Sequence, residues 1–152
     1  MILSTLCYIE KDDKYLMLYR TKKKNDINKD KWLGIGGKIE EGESPEECII
    51  REVKEETGLT LKEYQLRGIV TYVSNKWETE YMYVFTATKF EGNLIECDEG
   101  DLKWIEKEKI HTLPTWEGDH IFVDKLQKDN RFFSGKFEYD GEKLIKYDLK
   151  EY

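Results

Sequence analysis

The sequence predicts a mixed β-sheet covered by helices, an α/β (α+β) arrangement in a single domain spanning residues 1–152. Three observations carry this reading. Short runs rich in β-branched and aromatic residues outnumber helical stretches. Those runs are interleaved with helices rather than segregated from them. No internal repeat, low-complexity tract or Pro/Gly linker divides the chain, which has only two prolines, Pro45 and Pro114. A chain of 152 residues is long enough to bury a core without disulfides.

The elements follow in order. Residues 1–10 and 14–20 are β-rich runs split by Asp12 and Asp13, which suit a hairpin turn. Residues 21–31 are polar and basic and read as a loop. The stretch WLGIGGKIEEGE holds too many glycines for a helix and reads as loop and short strand. Residues 44–57 are the clearest helix: Ser44 suits the N-cap, Pro45 the first helical position, and Glu47 completes a capping box. Gly58 suits the left-handed position past the helix end. Strands follow near residues 66–73 and 80–89, and LKWIEKEKI reads as a strand followed by a turn. Residues 117–127 form a second helix with Ile121, Phe122, Val123 and Leu126 on its apolar face. The Asp140-Gly141 pair between alternating runs signals a final hairpin.

The formal net charge is -7 with 38% charged residues, but the apolar residues come in patterned blocks, so the chain is globular rather than disordered. An acidic balance argues against a nucleic-acid duplex as partner, since phosphate contacts need a basic face. It permits a phosphate ligand where a divalent cation mediates. Cys7, Cys48 and Cys97 are odd in number and lack metal-ligand spacing, which indicates reduced thiols and a cytoplasmic protein. No run of 18 apolar residues predicts a membrane span. The apolar N-terminus lacks basic flanks and a small-residue cleavage site, so it reads as a strand rather than a signal peptide.

The helix over residues 44–57 poses the chemical question. Residues three and four apart share a helix face, so Glu52, Glu55 and Glu56 are neighbours at the border of the core. Ile49, Val53 and Thr57 fall on the adjoining, sheet-facing sector. Like charges at this spacing repel, and the last helical turn is the wrong end for anions. Taken alone, a solvated acidic face is the commoner explanation. A hard divalent cation is the other, because Mg²⁺ or Mn²⁺ takes oxygen ligands from one or two carboxylates, water and phosphates.

The surrounding residues favour the cation. Gly37, Glu43, Arg51, Glu52, Val53, Glu55, Glu56, Gly58 and Leu59 match, in order and spacing, the pattern G-x5-E-x7-R-E-U-x-E-E-x-G-U, with U aliphatic. Seven specified residues at one starting point arise by chance with a probability on the order of 10⁻⁷. Residues 37–59 therefore resemble the Nudix box. The whole chain resembles the MutT-type branch, MutX-like 8-oxo-dGTP diphosphatases included, through LCYIEKDDKYLMLYR, KDKWLGIGGKIEEGE, EGDLKW and PTWEGDHIFVDKL. The resemblance implies an α/β/α sandwich with a central mixed sheet. It also implies Mg²⁺-dependent hydrolysis, with Mn²⁺ as a substitute, of a small-molecule nucleotide. Oxidised purine nucleoside triphosphates would yield the monophosphate and pyrophosphate, which keeps damaged nucleotides out of DNA.

Roles carried over by the resemblance are as follows. Glu52, Glu55 and Glu56 bind metal, together with Gly36 in the glycine turn. Glu52 or Glu99 serves as the base; Glu99 otherwise is a loop carboxylate beside Asp98 and Asp101. Glu43 and Arg51 pair to brace the loop against the helix, or Arg51 is a surface charge. Arg20 and Lys38 sit near the phosphates, with solvation as the plain alternative for each. Trp116 flanks the base, or is a core tryptophan. Asp119 reads the base edge, or is a helix N-terminal charge. Cys48, one turn before Glu52, is expected to be a small buried residue. His111 and His120 receive no role.

Two positions depart from the family pattern. Leu33 stands where the MutT-type enzymes carry a base-reading asparagine, and Gly118 where a pocket aspartate is expected. Strict 8-oxoguanine selectivity is not implied without those polar groups. Other readings are a Nudix hydrolase for ADP-ribose, dinucleoside polyphosphates or capped RNA, or a Nudix-fold nucleotide-binding module without catalysis. The sequence leaves monomer and homodimer equally open.

Overall fold

The computed structural model describes residues 1–152. Strands β1 (Ile2–Lys11) and β2 (Lys14–Arg20) are joined at Asp12 and Asp13, both with positive φ (50° and 62°). Aspartate is among the few residues that tolerate that conformation, and two such residues in succession make the hairpin turn the sequence predicts. The two strands pair only next to the turn and then diverge. Along its first half β1 lies between β4 (Ile35–Lys38), which is antiparallel, and β6 (Glu80–Glu91), which is parallel. β2 meanwhile carries β3 (Trp32–Leu33) and β7 (Gly100–Glu106). β5 (Thr60–Ser74) joins β6 antiparallel and β8 (Phe133–Asp140) parallel, and β9 (Lys143–Glu151) closes the order β3-β2-β1-β6-β5-β8-β9.

Alternation along β1 divides the core in two. Leu6 and Tyr8 point to one face and Cys7 and Ile9 to the other, as successive strand residues must. The Cys7 face packs on Ile49 and Val53 of α1 (Pro45–Thr57). The Tyr8 face packs on Phe122, Val123 and Leu126 of α2 (Glu117–Lys128). This is the expected sandwich around a mixed sheet.

Helix α1 is fixed at both ends. Ser44 Oγ accepts from the Glu47 backbone N–H at 3.0 Å, and Glu47 Oε1 accepts from the Ser44 N–H at 2.9 Å. At the other end Gly58 adopts φ 82° and donates to the Lys54 carbonyl. A side chain there would also meet the Asn93 carbonyl at 2.7 Å, so glycine is required twice over.

Two elements differ from the sequence reading. β5 starts at Thr60, not near Leu66; its first part, Lys62–Gln65, is exposed and its register shifts beside Leu61, Glu63 and Leu66. The third shift accompanies the burial of Arg67, which donates to the Leu126 carbonyl at 3.3 Å and to that of Asp129, at the negative end of α2. The turn after β7 is a 3₁₀ segment, Lys107–Thr112. All three cysteines are free and buried, and no helix is long and apolar enough to cross a membrane.

Candidate active site

The last two turns of α1, strand β4 and the loop entering β7 converge at one end of the sheet. Gly37 of β4 lies under Glu52: a Cβ at Gly37 would sit 2.4–2.6 Å from the Glu52 carboxyl group. Gly36 is equally constrained, since a Cβ there would meet the Thr5 carbonyl at 1.9 Å. Gly37 thus admits the Glu52 carboxylate against bare backbone, while Gly36 lets β4 lie close to the Thr5 backbone of β1.

Arg51 organises the helix side. Its Nε and Nη2 donate to the two Glu43 oxygens at 2.6 and 2.9 Å, a bidentate pair. Nη1 donates to Glu52 at 2.8 Å and to Glu55 at 3.3 Å, and Nη2 also reaches the Lys38 carbonyl at 3.1 Å. The hydrogen bond from Arg51, reinforced by the Glu40 N–H, lowers the Glu43 carboxyl to about 2, and the same pair raises Arg51. The anticipated Glu43–Arg51 brace is therefore present as geometry.

The acids divide by environment. Glu55 is exposed, Glu52 is half-buried and Glu56 is 8% exposed. Burial raises Glu52 and opposes the pull of Arg51. Glu56 Oε2 is buried with no hydrogen-bond partner. Burial, then the hydrogen bond and charge of Glu99, raises Glu56 strongly. Glu99 goes the other way: against the upward push of burial, its hydrogen bonds to Glu56 and Lys23 and the charge of Arg20 bring it down. Arg20 Nη1 lies 3.0 Å from Glu99 Oε2, Lys23 Nζ lies 2.8 Å from Oε1, and Arg20 Nε reaches Asp26 at 2.8 Å.

The residues fit a hard divalent cation in chemistry. The side-chain donor set is all carboxylate oxygen, and Glu56 Oε2 is a buried acceptor without a hydrogen-bond partner, as a hard cation's ligand would be. As the side chains stand, no three acidic, histidine or cysteine groups converge closely enough to ligate one ion. Arg51 holds Glu52 and Glu55, and Arg20 with Lys23 holds Glu99.

The second group of sequence-predicted residues lies across the sheet at the start of α2. Trp116 is 4% exposed. Its indole N–H donates to Asn28 at 2.7 Å, Lys31 Nζ sits 4.5 Å above the ring, and Tyr72, Trp77 and Tyr139 make edge contacts at 5.4–5.8 Å. The indole is thus enclosed rather than open to a base. Asp119 is 5% exposed; burial, then the charge of Glu80, pushes it up to about 8. Glu80 accepts from Ser4 Oγ at 2.5 Å and pairs across strands with Tyr72, whose hydroxyl is buried without a partner. Gly118 explains its own departure from the family pattern: a Cβ would meet Phe137 at 2.7 Å and the Tyr139 hydroxyl at 2.9 Å. Leu33 is buried in the same core cluster.

Sequence reasoning missed Lys23, Asp26 and Glu80. The first two sit in a polar loop with no periodic signal, and Glu80 reaches Ser4 only through the parallel β1–β6 pairing. Lys38 is exposed, and only its backbone carbonyl joins the network. Cys48 is buried 3.2 Å from Thr5 Oγ1, as a small structural residue would be.

Known proteins are similar to this chain in sequence and fold. The model of the NUDIX domain matches residues 2–126. The Nudix hydrolase YvcI of Bacillus subtilis (strain 168) is 34% identical over 151 residues, which cover 95% of this chain and 92% of that protein. An oxidized purine nucleoside triphosphate hydrolase of Danio rerio is 33% identical over 125 residues, 81% of this chain and 79% of that one. A crystal structure of a MutT protein from Bacillus halodurans superposes with TM-score 0.89 at 29% identity, covering 99% of this chain and 98% of that one. A glycine that admits a helix-borne carboxylate, acids bridged by one arginine and a match over most of the chain agree in one assignment: this protein belongs to the Nudix family of hydrolases, which act on phosphoanhydride bonds of small nucleotides and generally use a divalent metal.

Proposed function

We propose that this chain hydrolyses purine nucleoside triphosphates, oxidised ones such as 8-oxo-dGTP among them, to the monophosphate and pyrophosphate, with Mg²⁺ as the physiological cation. The observation that carries the base preference is Asp119. A carboxyl group buried at the first turn of α2, with its pKa pushed up to about 8, is held neutral at pH 7. In that state it both donates and accepts a hydrogen bond, as the mixed edge of an oxidised purine requires. The name of the Danio rerio relative supports the same substrate class.

Glu55 and Glu56, with the Gly36 backbone, would hold the cation, which when bound neutralises polyphosphate charge and lowers the pKa of its water, and Glu52 joins them only where it does not serve as the base. Arg51 positions Glu52 through the 2.8 Å hydrogen bond and ties it to the Glu43 loop. Glu52 is the better base. Both Glu99 oxygens are already occupied by Arg20 and Lys23, whereas Glu52 lies against Gly37 with a single partner. Glu52 would take a proton from the attacking water as a phosphoanhydride bond breaks, and pyrophosphate leaves. Arg20, Lys23 and Lys38 supply positive charge toward the phosphates, Arg20 and Lys23 also keeping Glu99 ionised. Trp116 forms the wall beside Asp119, and stacking on a base requires Lys31 to leave the indole face.

A panel of 8-oxo-dGTP, dGTP, dATP and ADP-ribose, compared by kcat/KM and scored for free pyrophosphate, tests this reading. The purine triphosphates should release pyrophosphate, with the oxidised one preferred. Preferred cleavage of ADP-ribose, which yields no pyrophosphate, would assign the site to another Nudix substrate.

A further inference from the structure

Strand β9 ends the sheet and has no neighbour on its outer side. Its free edge is long and partly apolar: Ile145 is 62% exposed, Tyr147 52% and the following Tyr152 72%. An edge of this kind is a template for another strand unless something blocks it. Lys143, Lys146 and Lys150 lie along it and disfavour arbitrary strands. Two acids, Asp148 and Glu151, interrupt the lysines.

The hydrogen-bond phase of the edge follows from one contact. Tyr152 N–H donates to the Phe132 carbonyl at 2.8 Å, in register with the Phe133–Glu151 pair. By antiparallel alternation Lys150, Asp148 and Lys146 also bond to β8, so Tyr147, Leu149 and Glu151 turn their N–H and C=O groups outward. Between Lys146 and Glu151 the β8–β9 ladder is continuous; beyond it the register shifts, leaving Ile145 without a partner in β8.

The geometry points to an antiparallel pairing of β9 with β9 of a second copy of this chain, on a two-fold axis through Leu149. Each outward-facing residue then meets another: Leu149 meets its own copy, and Tyr147 meets Glu151. On the opposite face Asp148 meets Lys150, twice by symmetry, and Lys146 meets Tyr152. No bulged residue enters the ladder. Moving the axis to Asp148 inverts the hydrogen-bond phase and sets Asp148 against Asp148 and Lys146 against Lys150. Moving it to Tyr147 keeps the phase but places Leu149 opposite the bulged Ile145. Lys150, which also pairs with Asp148 of its own strand at 3.1 Å, is thus answered by an acid across the axis, while Lys146 meets Tyr152. The ring of Tyr147, stacked on Phe137 at 5.8 Å, lies at the covered edge. A single edge ladder buries less than the roughly 1,000 Å² of a stable interface, so association depends on protein concentration. Sheet order places β9 at the end away from β1 and β4, so hydrolysis does not require the dimer.

Sedimentation equilibrium of the full chain at low ionic strength, over a range of protein concentrations, tests this. The wild-type protein should move from monomer toward dimer mass. Asp148→Lys and Lys150→Asp should each weaken association about tenfold, because each change alters two symmetric contacts. Both side chains are largely exposed, at 63% and 65%, so the fold is undisturbed. The double variant Asp148→Lys/Lys150→Asp should restore dimerisation to within a few-fold of wild type. A protein that stays monomeric at the highest attainable concentration, single variants that associate normally, or rescue of Asp148→Lys by Lys146→Asp in place of Lys150→Asp would each overturn the proposal.

Discussion

A single buried carboxyl shows how far a residue can be moved by its surroundings. Asp119 has an ordinary value of 3.8 when exposed and is pushed up to about 8 by burial and then by Glu80. The folded state therefore binds a proton that the unfolded state has released across that window. Its contribution to stability is present below about pH 4 and is lost as pH rises toward 8, by up to about 1.4 kcal/mol per pH unit. Asp119→Asn removes this titration. Urea unfolding of wild type and variant from pH 4 to 8 should show the wild type losing stability relative to the variant as pH rises. Parallel curves would mean that Asp119 is solvated. The sequence identified this residue but not its state, because Glu80 is brought near only by strand pairing. Trp116 was legible as either wall or core; Lys31, Tyr72, Trp77 and Tyr139 enclose it, and none of these contacts is local in sequence.

At the scale of elements, α1 was readable almost to the residue because both its ends are coded locally. Ser44, Pro45 and Glu47 start it and Gly58 stops it. The start of β5 is not legible in the sequence because Lys62–Gln65 is exposed, shows no alternation and carries register shifts. Its inclusion in the sheet is set by β6, not by its own pattern. The same contrast yields a test on α1. Ser44→Ala removes the side-chain half of the capping box and should cost about 1 kcal/mol of stability, while Glu52 and Glu56, two or more turns away, stay in place. Chemical denaturation should show that loss with kcat nearly unchanged. A large fall in kcat would mean that the cap also sets the geometry of the acids.

Over the whole molecule, two helices on opposite faces of one mixed sheet divide the labour. α1 brings its acids to β4 and the β7 entry, while α2 brings Asp119 and Trp116 to the end of β5 and β6. The acid cluster was legible because its spacing is helical and local. The cations that share it, Lys23 and Arg20, were only partly so, because the loop carrying Lys23 has no period. The proposed function requires those acids to serve a divalent cation rather than Arg51 alone. Mn²⁺ binding to the free enzyme, followed by electron paramagnetic resonance, tests this most directly. The wild type should bind Mn²⁺, and Glu56→Gln should stay folded yet lose more affinity than the roughly 10–100-fold typical of an outer-sphere change. Equal Mn²⁺ binding by wild type and Glu56→Gln would contradict the account.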